Sequence, residues 1–142
     1  MRSLRLSGLA LLAVTLVSCS HPRSQTIPPE VRIQQIPPAD PQKFAGMLEK
    51  ENWRNPYLIV KPGGVALLDL ANHEEHLIKT DELAEVLASL PPSAWPYGRV
   101  VVVTSPGIVA STPDGMLIRK NRGIVAGTLE NMHILINWVP SA

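Results

Sequence analysis

The sequence predicts an α/β (α+β) two-layer sandwich, in which a small mixed β-sheet carries two to three helices on one face. Two β-rich runs flank a Pro-Gly-Gly turn within residues 57–70 and predict a hairpin. The run RVVVVT at residues 99–104 predicts a central strand that is buried on both faces. Apolar residues at helical spacing precede and follow this run, and strand–helix–strand passes favour helices packed on a sheet.

The first eighteen residues have the order of a secretory signal. Arg2 and Arg5 precede the uncharged run LALLAVTLV, which ends at the small residue Ser18 and at Cys19, the single cysteine of the chain. A basic start, a short apolar run and small residues at its end are typical of a signal peptide. The run is shorter than the roughly 20 residues that a membrane-spanning helix needs. The sequence therefore predicts a signal peptide over 1–18, cleaved between Ser18 and Cys19.

Residues 16–19 read LVSC and resemble the lipobox of bacterial lipoproteins. The resemblance implies that Cys19 carries a thioether-linked diacylglycerol and, after cleavage, an N-terminal acyl group such as palmitate. More than one acyl chain anchors a protein durably. Ser20 stands where an aspartate in such proteins favours the inner membrane, so the expected location is the outer membrane, facing the periplasm. Apart from these lipids, no cofactor is expected.

Six prolines lie between residues 20 and 41 and leave little apolar surface to bury. This composition predicts an extended tether, partly polyproline II, over residues 19–41 and a folded domain over 42–142. An alternative is that VRIQQI at 31–36 adds an edge strand to the domain or to a partner.

The domain is predicted to begin with a short amphipathic helix over about 41–51, with Asp40 as its N-cap. The hairpin of residues 57–70 comes next. A second helix is predicted to start at an N-cap on Thr80 and to end at Pro91-Pro92.

After the central strand, three further elements are predicted. The motif Pro113-Asp114-Gly115 predicts the turn of a second hairpin. A helix over 121–132 and a strand over 133–139 complete the chain.

The order of these elements over about residues 57–139 resembles the periplasmic domain of the ExbD/TolR family of biopolymer-transport proteins. That resemblance implies a non-enzymatic domain that dimerises and engages peptidoglycan or a partner protein. The chain departs from the family at its N-terminus, because the predicted signal contains no acidic residue and replaces a transmembrane helix that bears an aspartate. Coupling to proton flow is therefore not implied.

His73 and His76 are the weak candidates for a metal site. Two imidazoles with glutamates between them suit zinc or copper, with Asp69 or His133 as the nominated third ligand. The pair lacks the i, i+4 spacing of zinc-binding HExxH helices, which favours a solvated polar loop instead. A metal-dependent periplasmic hydrolase that uses His73 and His76 is the alternative function.

Trp95 and Tyr97 lie in a proline-rich link before the central strand. They are candidates for a partner-binding platform, because such aromatics are enriched at interface hot spots. The alternative is that they cover the core where the second helix returns to the sheet.

Composition narrows the function further. A formal charge of +1 gives no case for nucleic-acid binding, and one cysteine excludes an intramolecular disulfide. No serine elbow or phosphate-binding loop is present, so no catalytic residue is assigned and no enzyme is expected. The expected role is a membrane-anchored scaffold or accessory that binds an envelope protein or peptidoglycan, and a homodimer is compatible with it.

Overall fold

The computed structural model describes residues 26–47, 52–107 and 111–140. The predicted signal peptide over 1–18, its cleavage site and Cys19 lie outside these residues. In the part of the chain that is described, no helix is long and apolar enough to cross a membrane.

The described residues contain one five-stranded mixed sheet. Its order is β3-β2-β1-β4-β5, with antiparallel pairing of β1 with β2 and of β2 with β3. The pairs β1–β4 and β4–β5 are parallel. The strands are β1 (Tyr57–Lys61), β2 (Gly64–Leu68), β3 (Glu75–Ile78), β4 (Val100–Ser105) and β5 (Leu135–Pro140).

Four helices pack on this sheet, which confirms the predicted α+β sandwich. The helices are α1 (Pro29–Arg32), α2 (Pro41–Phe44), α3 (Leu83–Ser89) and α4 (Pro113–Asn131), with short 3-10 turns at Ile33–Gln35 and Pro92–Ala94. α1 contacts α3, and α3 contacts α4, which crosses β1, β2 and β5. Phe44 of α2 packs against a separate cluster on the other face of the sheet.

The central strand is as the sequence predicts. Val100 to Val103 of β4 are all buried, and alternate residues serve the two faces. Val101 and Val103 join the core under the helices, whereas Val100 and Val102 join the cluster around Trp53. An uninterrupted β-branched run suits a strand with apolar neighbours on both sides. The hairpin is also confirmed, because β1 and β2 pair around a turn at residues 62–63.

The second face of the sheet is partly covered by aromatic rings. Trp53 and Tyr97 have ring centroids 5.2 Å apart, and Phe44 lies 5.9 Å from Trp53. Tyr57 of β1 is buried beneath this cluster. Burial raises the pKa of the Tyr57 hydroxyl, and the Thr104 side chain offsets part of the rise.

The prediction of a second hairpin around Pro113-Asp114-Gly115 is wrong. Thr112 instead caps α4, since its hydroxyl oxygen accepts a hydrogen bond from the backbone N–H of Gly115 at 3.1 Å, and Pro113 is the first helical residue. A Thr-Pro-Asp sequence suits a helix start as well as a turn, because proline at the first helical position has no N–H to leave unpaired. The helix predicted over 121–132 therefore begins eight residues earlier, at residue 113.

The prediction of a polar loop at residues 73–76 is wrong for its second half. Glu75 and His76 lie in β3, which pairs with β2 at the edge of the sheet. Of the four β3 residues only Ile78 is buried. An edge strand buries few side chains, so β3 lacks the alternation of apolar and polar residues by which a strand is predicted from sequence.

The tether is shorter than the predicted range of 19–41. Residues 29–35 are helical, and Ile33 and Ile36 are buried in the main core. Arg32 of α1 forms an ion pair with Glu85 of α3, and this hydrogen bond lowers the pKa of the Glu85 carboxyl. The edge strand considered for 31–36 does not form, and the folded domain begins before residue 42.

The two remaining helix predictions need adjusted boundaries. Asp40 does cap α2, since its side chain accepts a hydrogen bond from the Gln42 N–H at 3.1 Å, but the helix ends at Phe44. Residues 48–51 of the predicted helix lie outside the described residues. α3 starts at Leu83 and no side chain caps it, so Thr80 does not have the predicted N-cap role.

Asn55 joins the segment before β1 to the turn from which β4 begins. Its side chain is almost fully buried; Nδ2 donates to the carbonyls of Gly98 and Val100, each at 2.7 Å, and Oδ1 accepts from the Tyr97 N–H at 3.0 Å. Gly98 has a φ of 77°, and a Cβ there would lie 2.1 Å from the Pro38 carbonyl oxygen. The Asn55 amide therefore fixes the turn from which β4 begins. Residue 38 lies against Gly98 of the same turn.

Replacing Asn55 with alanine is expected to lower the free energy of unfolding by about 3 kcal/mol, because it leaves buried backbone groups without partners. Urea unfolding followed by circular dichroism measures the change. The matched control is Asn131→Ala at the exposed end of α4, which is expected to shift stability by no more than about 0.5 kcal/mol. Equal effects of the two variants would contradict the role given to Asn55.

Replacing Thr112 with alanine is expected to cost about 1 kcal/mol of stability, because the helix N-cap is lost. Ser111→Ala next to it serves as the control, with an expected change below about 0.5 kcal/mol. The same unfolding measurement applies. If Thr112→Ala were as stable as Ser111→Ala, the start of α4 at residue 113 would be in doubt.

Candidate functional site

Trp95 and Tyr97 do not form an exposed binding platform. Their exposed fractions are 3% and 7%, respectively. Trp95 packs in the core beneath the helices, and Tyr97 packs with Phe44 and Trp53 on the opposite face. In this structure the two side chains do not provide the exposed aromatic surface that a binding platform needs, and their burial supports the alternative of a cover over the core.

The candidate metal ligands lie around the loop between β2 and β3. His73 occupies the loop with a φ of 60°, and His76 lies in β3; both are exposed. Asp69 follows β2 directly, and its Oδ1 accepts a hydrogen bond from the Ala71 N–H at 2.8 Å. Asn72 Oδ1 accepts one from the Glu74 N–H at 3.0 Å. These turns account for the polar composition of the loop.

His133 is not brought to this loop. It precedes β5, whereas His76 lies in β3, and the two strands are opposite edges of the sheet. Four inter-strand spacings separate them, or about 19 Å. Within residues 26–47, 52–107 and 111–140, no group of three or more His, Cys, Asp or Glu side chains is placed to hold a metal ion.

A cleft opens beside the same loop, at the end of the sheet where β1 begins and β2 ends. Its volume is about 350 Å³. Ligand sites are commonly clefts of this kind, lined mainly by apolar side chains with a few polar groups. The lining residues are Arg54, Asn55, Pro56, Leu67, Leu68, Asp69, Leu70, Ala71, His76, Leu90 and Ala94.

The polar residues of the cleft differ in the hydrogen bonds and ion pairs that their side chains form within the fold. Asn55 has three hydrogen bonds to the backbone and serves the structure. No ion pair between described residues involves Arg54 or Asp69, so a cation and a carboxylate lie in one cleft without being paired with each other. His76 adds an imidazole. The cleft can therefore receive an apolar group and, beside it, groups of either charge.

Only part of this site is predicted by the sequence. It nominated Asp69 and His76, which the structure brings to one cleft, but it missed Arg54, Leu67 and Ala94. These residues come from separate segments, and no local pattern marks them as neighbours. The sequence gives no signal for these residues, because the cleft forms only where the loop before β1 meets the end of α3.

Three comparisons were made with known proteins: with protein-family models, with curated proteins and with solved structures. None of them found a match. The function is therefore argued from the N-terminal sequence and from the cleft.

Proposed function

We propose that the chain is a lipid-anchored bacterial envelope protein whose α+β domain is a binding module rather than an enzyme. The observation that carries the binding role is the cleft, with its mostly apolar lining and with Arg54 and Asp69, neither of which forms an ion pair with another described residue. Partner proteins insert apolar side chains into pockets of this kind, and surrounding charged groups select the partner.

The anchor in this proposal is Cys19. The lipobox-like residues 16–19 and the signal-like order before them support acylation, and Ser20 supports placement in the outer membrane. Only residues 20–28 separate Cys19 from α1. At an extended length of about 3.3 Å per residue, this segment reaches on the order of 30 Å. The domain therefore acts close to the membrane surface.

The partner in this proposal is an envelope protein or peptidoglycan. The element order that resembles the ExbD/TolR family supports a scaffold or accessory role, although a shared fold does not establish a shared function. A binding cleft near the membrane surface suits either partner. For the metal-dependent hydrolase, no observation among the described residues supplies a third ligand to His73 and His76.

Cys19→Ser is expected to abolish lipid attachment, because serine offers no thiol for the thioether. Cells are fed a clickable palmitate analogue, and the mature N-terminal peptide is weighed by mass spectrometry. Wild-type protein is expected to carry label and an acylated Cys19, and Ser20→Ala serves as a labelled control. A wild-type protein that is unacylated and free of the membrane fraction would contradict the anchor.

A photo-crosslinking amino acid at Ala71 is expected to capture the partner, because Ala71 is exposed at the cleft. The same amino acid at Ala45, exposed after α2, is the matched control and is expected to give no adduct. Ala94→Leu, which narrows the cleft, is expected to abolish the Ala71 adduct, whereas Ala45→Leu leaves it. An adduct insensitive to Ala94→Leu would contradict binding in the cleft.

A further inference from the structure

The outward side of the helix layer carries most of the exposed large apolar side chains of the domain. On α4, Met116, Leu117 and Ile124 are 58%, 44% and 38% exposed. Trp138 of β5 is 40% exposed and lies on the same face of the sheet, because its partner on β4, Val103, belongs to the core under the helices. The described residues therefore leave an apolar surface uncovered on this side of the domain.

Cations lie among these apolar side chains. Arg119, Lys120 and Arg122 are all exposed on α4, and no ion pair between described residues involves any of them. The Arg122 guanidinium lies over the Trp138 ring, 4.4 Å from its centroid. The two acidic residues of α4 lie near its two ends. The middle of the helix therefore has three positive charges and no negative one, beside exposed apolar groups.

The segment that leads toward Cys19 leaves the domain from the same layer. α1 packs beside α3, and just after α1 the Gln34 side-chain amide donates to the Met132 carbonyl, at the end of α4, at 3.1 Å. Residues 20–28 separate Cys19 from α1 and reach on the order of 30 Å when extended. The helix layer is therefore within reach of the bilayer, a step that rests on the proposed function because it needs the acylated Cys19.

We propose that the outward side of α4, together with Trp138, docks on the surface of an anionic phospholipid bilayer. Each lysine or arginine near an anionic lipid surface strengthens binding by about fivefold. Leucine, isoleucine and methionine enter the boundary between headgroups and acyl chains, and tryptophan is enriched at the same level. The three cations and the exposed apolar side chains of α4 supply both kinds of contact on one surface.

The form of this surface favours a bilayer over a protein as its partner. The outer side of a helix is convex, and lysine and arginine have long stems that let the charge reach outward. A fluid bilayer adapts to such a surface, whereas a specific protein interface needs a partner of complementary shape. A short tether also holds the domain at a high effective concentration near the bilayer, so a weak intrinsic affinity is sufficient.

Quenching of tryptophan fluorescence by brominated phospholipids tests the docking. The full chain carries Trp138→Phe with Met116→Trp and is reconstituted in vesicles of phosphatidylcholine and phosphatidylglycerol; Trp53 and Trp95 are buried and give the background. The control is Leu77→Trp with Trp138→Phe, since Leu77 is 63% exposed on the other face of the sheet. Both variants are checked for equal thermal stability. Tryptophan at 116 is expected to be quenched about twofold more than tryptophan at 77, because only position 116 meets the lipid. Equal quenching would overturn the proposal.

Charge reversal tests the role of the cations in the same assay. Adding Lys120→Glu to the Met116→Trp chain is expected to lower the ratio of docked to undocked protein by about tenfold or more, because an attractive charge becomes a repulsive one. Lys43→Glu makes the same change of charge on α2, on the other face of the sheet, and is expected to leave the quenching unchanged. Equal effects of the two reversals, or equal quenching at 116 in vesicles of phosphatidylcholine alone, would contradict recognition of anionic headgroups.

A photo-crosslinking amino acid at Leu117 identifies the partner in intact cells. The adduct is expected to have the mass of a phospholipid, and the same amino acid at Leu77 is expected to give no such adduct. A protein adduct at Leu117, or no adduct, would overturn docking on a bilayer. The mass of the N-terminal peptide is measured separately. An acylated chain without quenching at 116 refutes only the docking, whereas an unacylated chain that is still quenched refutes only the anchor.

Discussion

The buried amide of Asn55 is the interaction on which the arrangement of the domain depends. Its three hydrogen bonds tie the segment before β1 to the turn that begins β4. Parallel strands such as β1 and β4 are joined by a long crossover, so the two are distant in sequence, and these hydrogen bonds hold together the segments at which both strands begin. The link extends to the N-terminal segment, because Gly98 lies against the Pro38 carbonyl and Arg99 donates from its N–H to the Pro37 carbonyl at 2.9 Å.

The position of the cleft follows from this arrangement. The loop that carries Asn55 also carries Arg54 to the cleft, so one segment contributes both to stability and to the lining of the proposed binding site. β4 is held between β1 and β5, which leaves β5 as an outer strand of the sheet that the described residues form. The cleft lies near β2 and β3, at the opposite side of the sheet from β5.

Much of the fold was predictable because its signals are local. The strand at Val100 to Val103 is buried on both faces and has an unbroken β-branched run, and the hairpin has glycines where a tight turn needs them. The errors have local causes too. Thr112-Pro113-Asp114 is compatible with a turn and with a helix start. The hydrogen bond from the Gly115 N–H to the Thr112 hydroxyl oxygen favours the helix start. Ile33 and Ile36 lie among prolines, so the composition of their segment does not predict that they are buried against α3 and the sheet.

The sequence alone determined the class of the fold and the central strand, and it predicts a lipidation site at Cys19, because run lengths, β-branching and small residues are properties of neighbouring positions. Only the tertiary structure decided that Trp95 and Tyr97 are buried and that Arg54, Asp69 and His76 share a cleft. These facts depend on which segments meet, and contacts between residues forty or more positions apart, such as Asn55 with Gly98, leave no periodic signal in the chain.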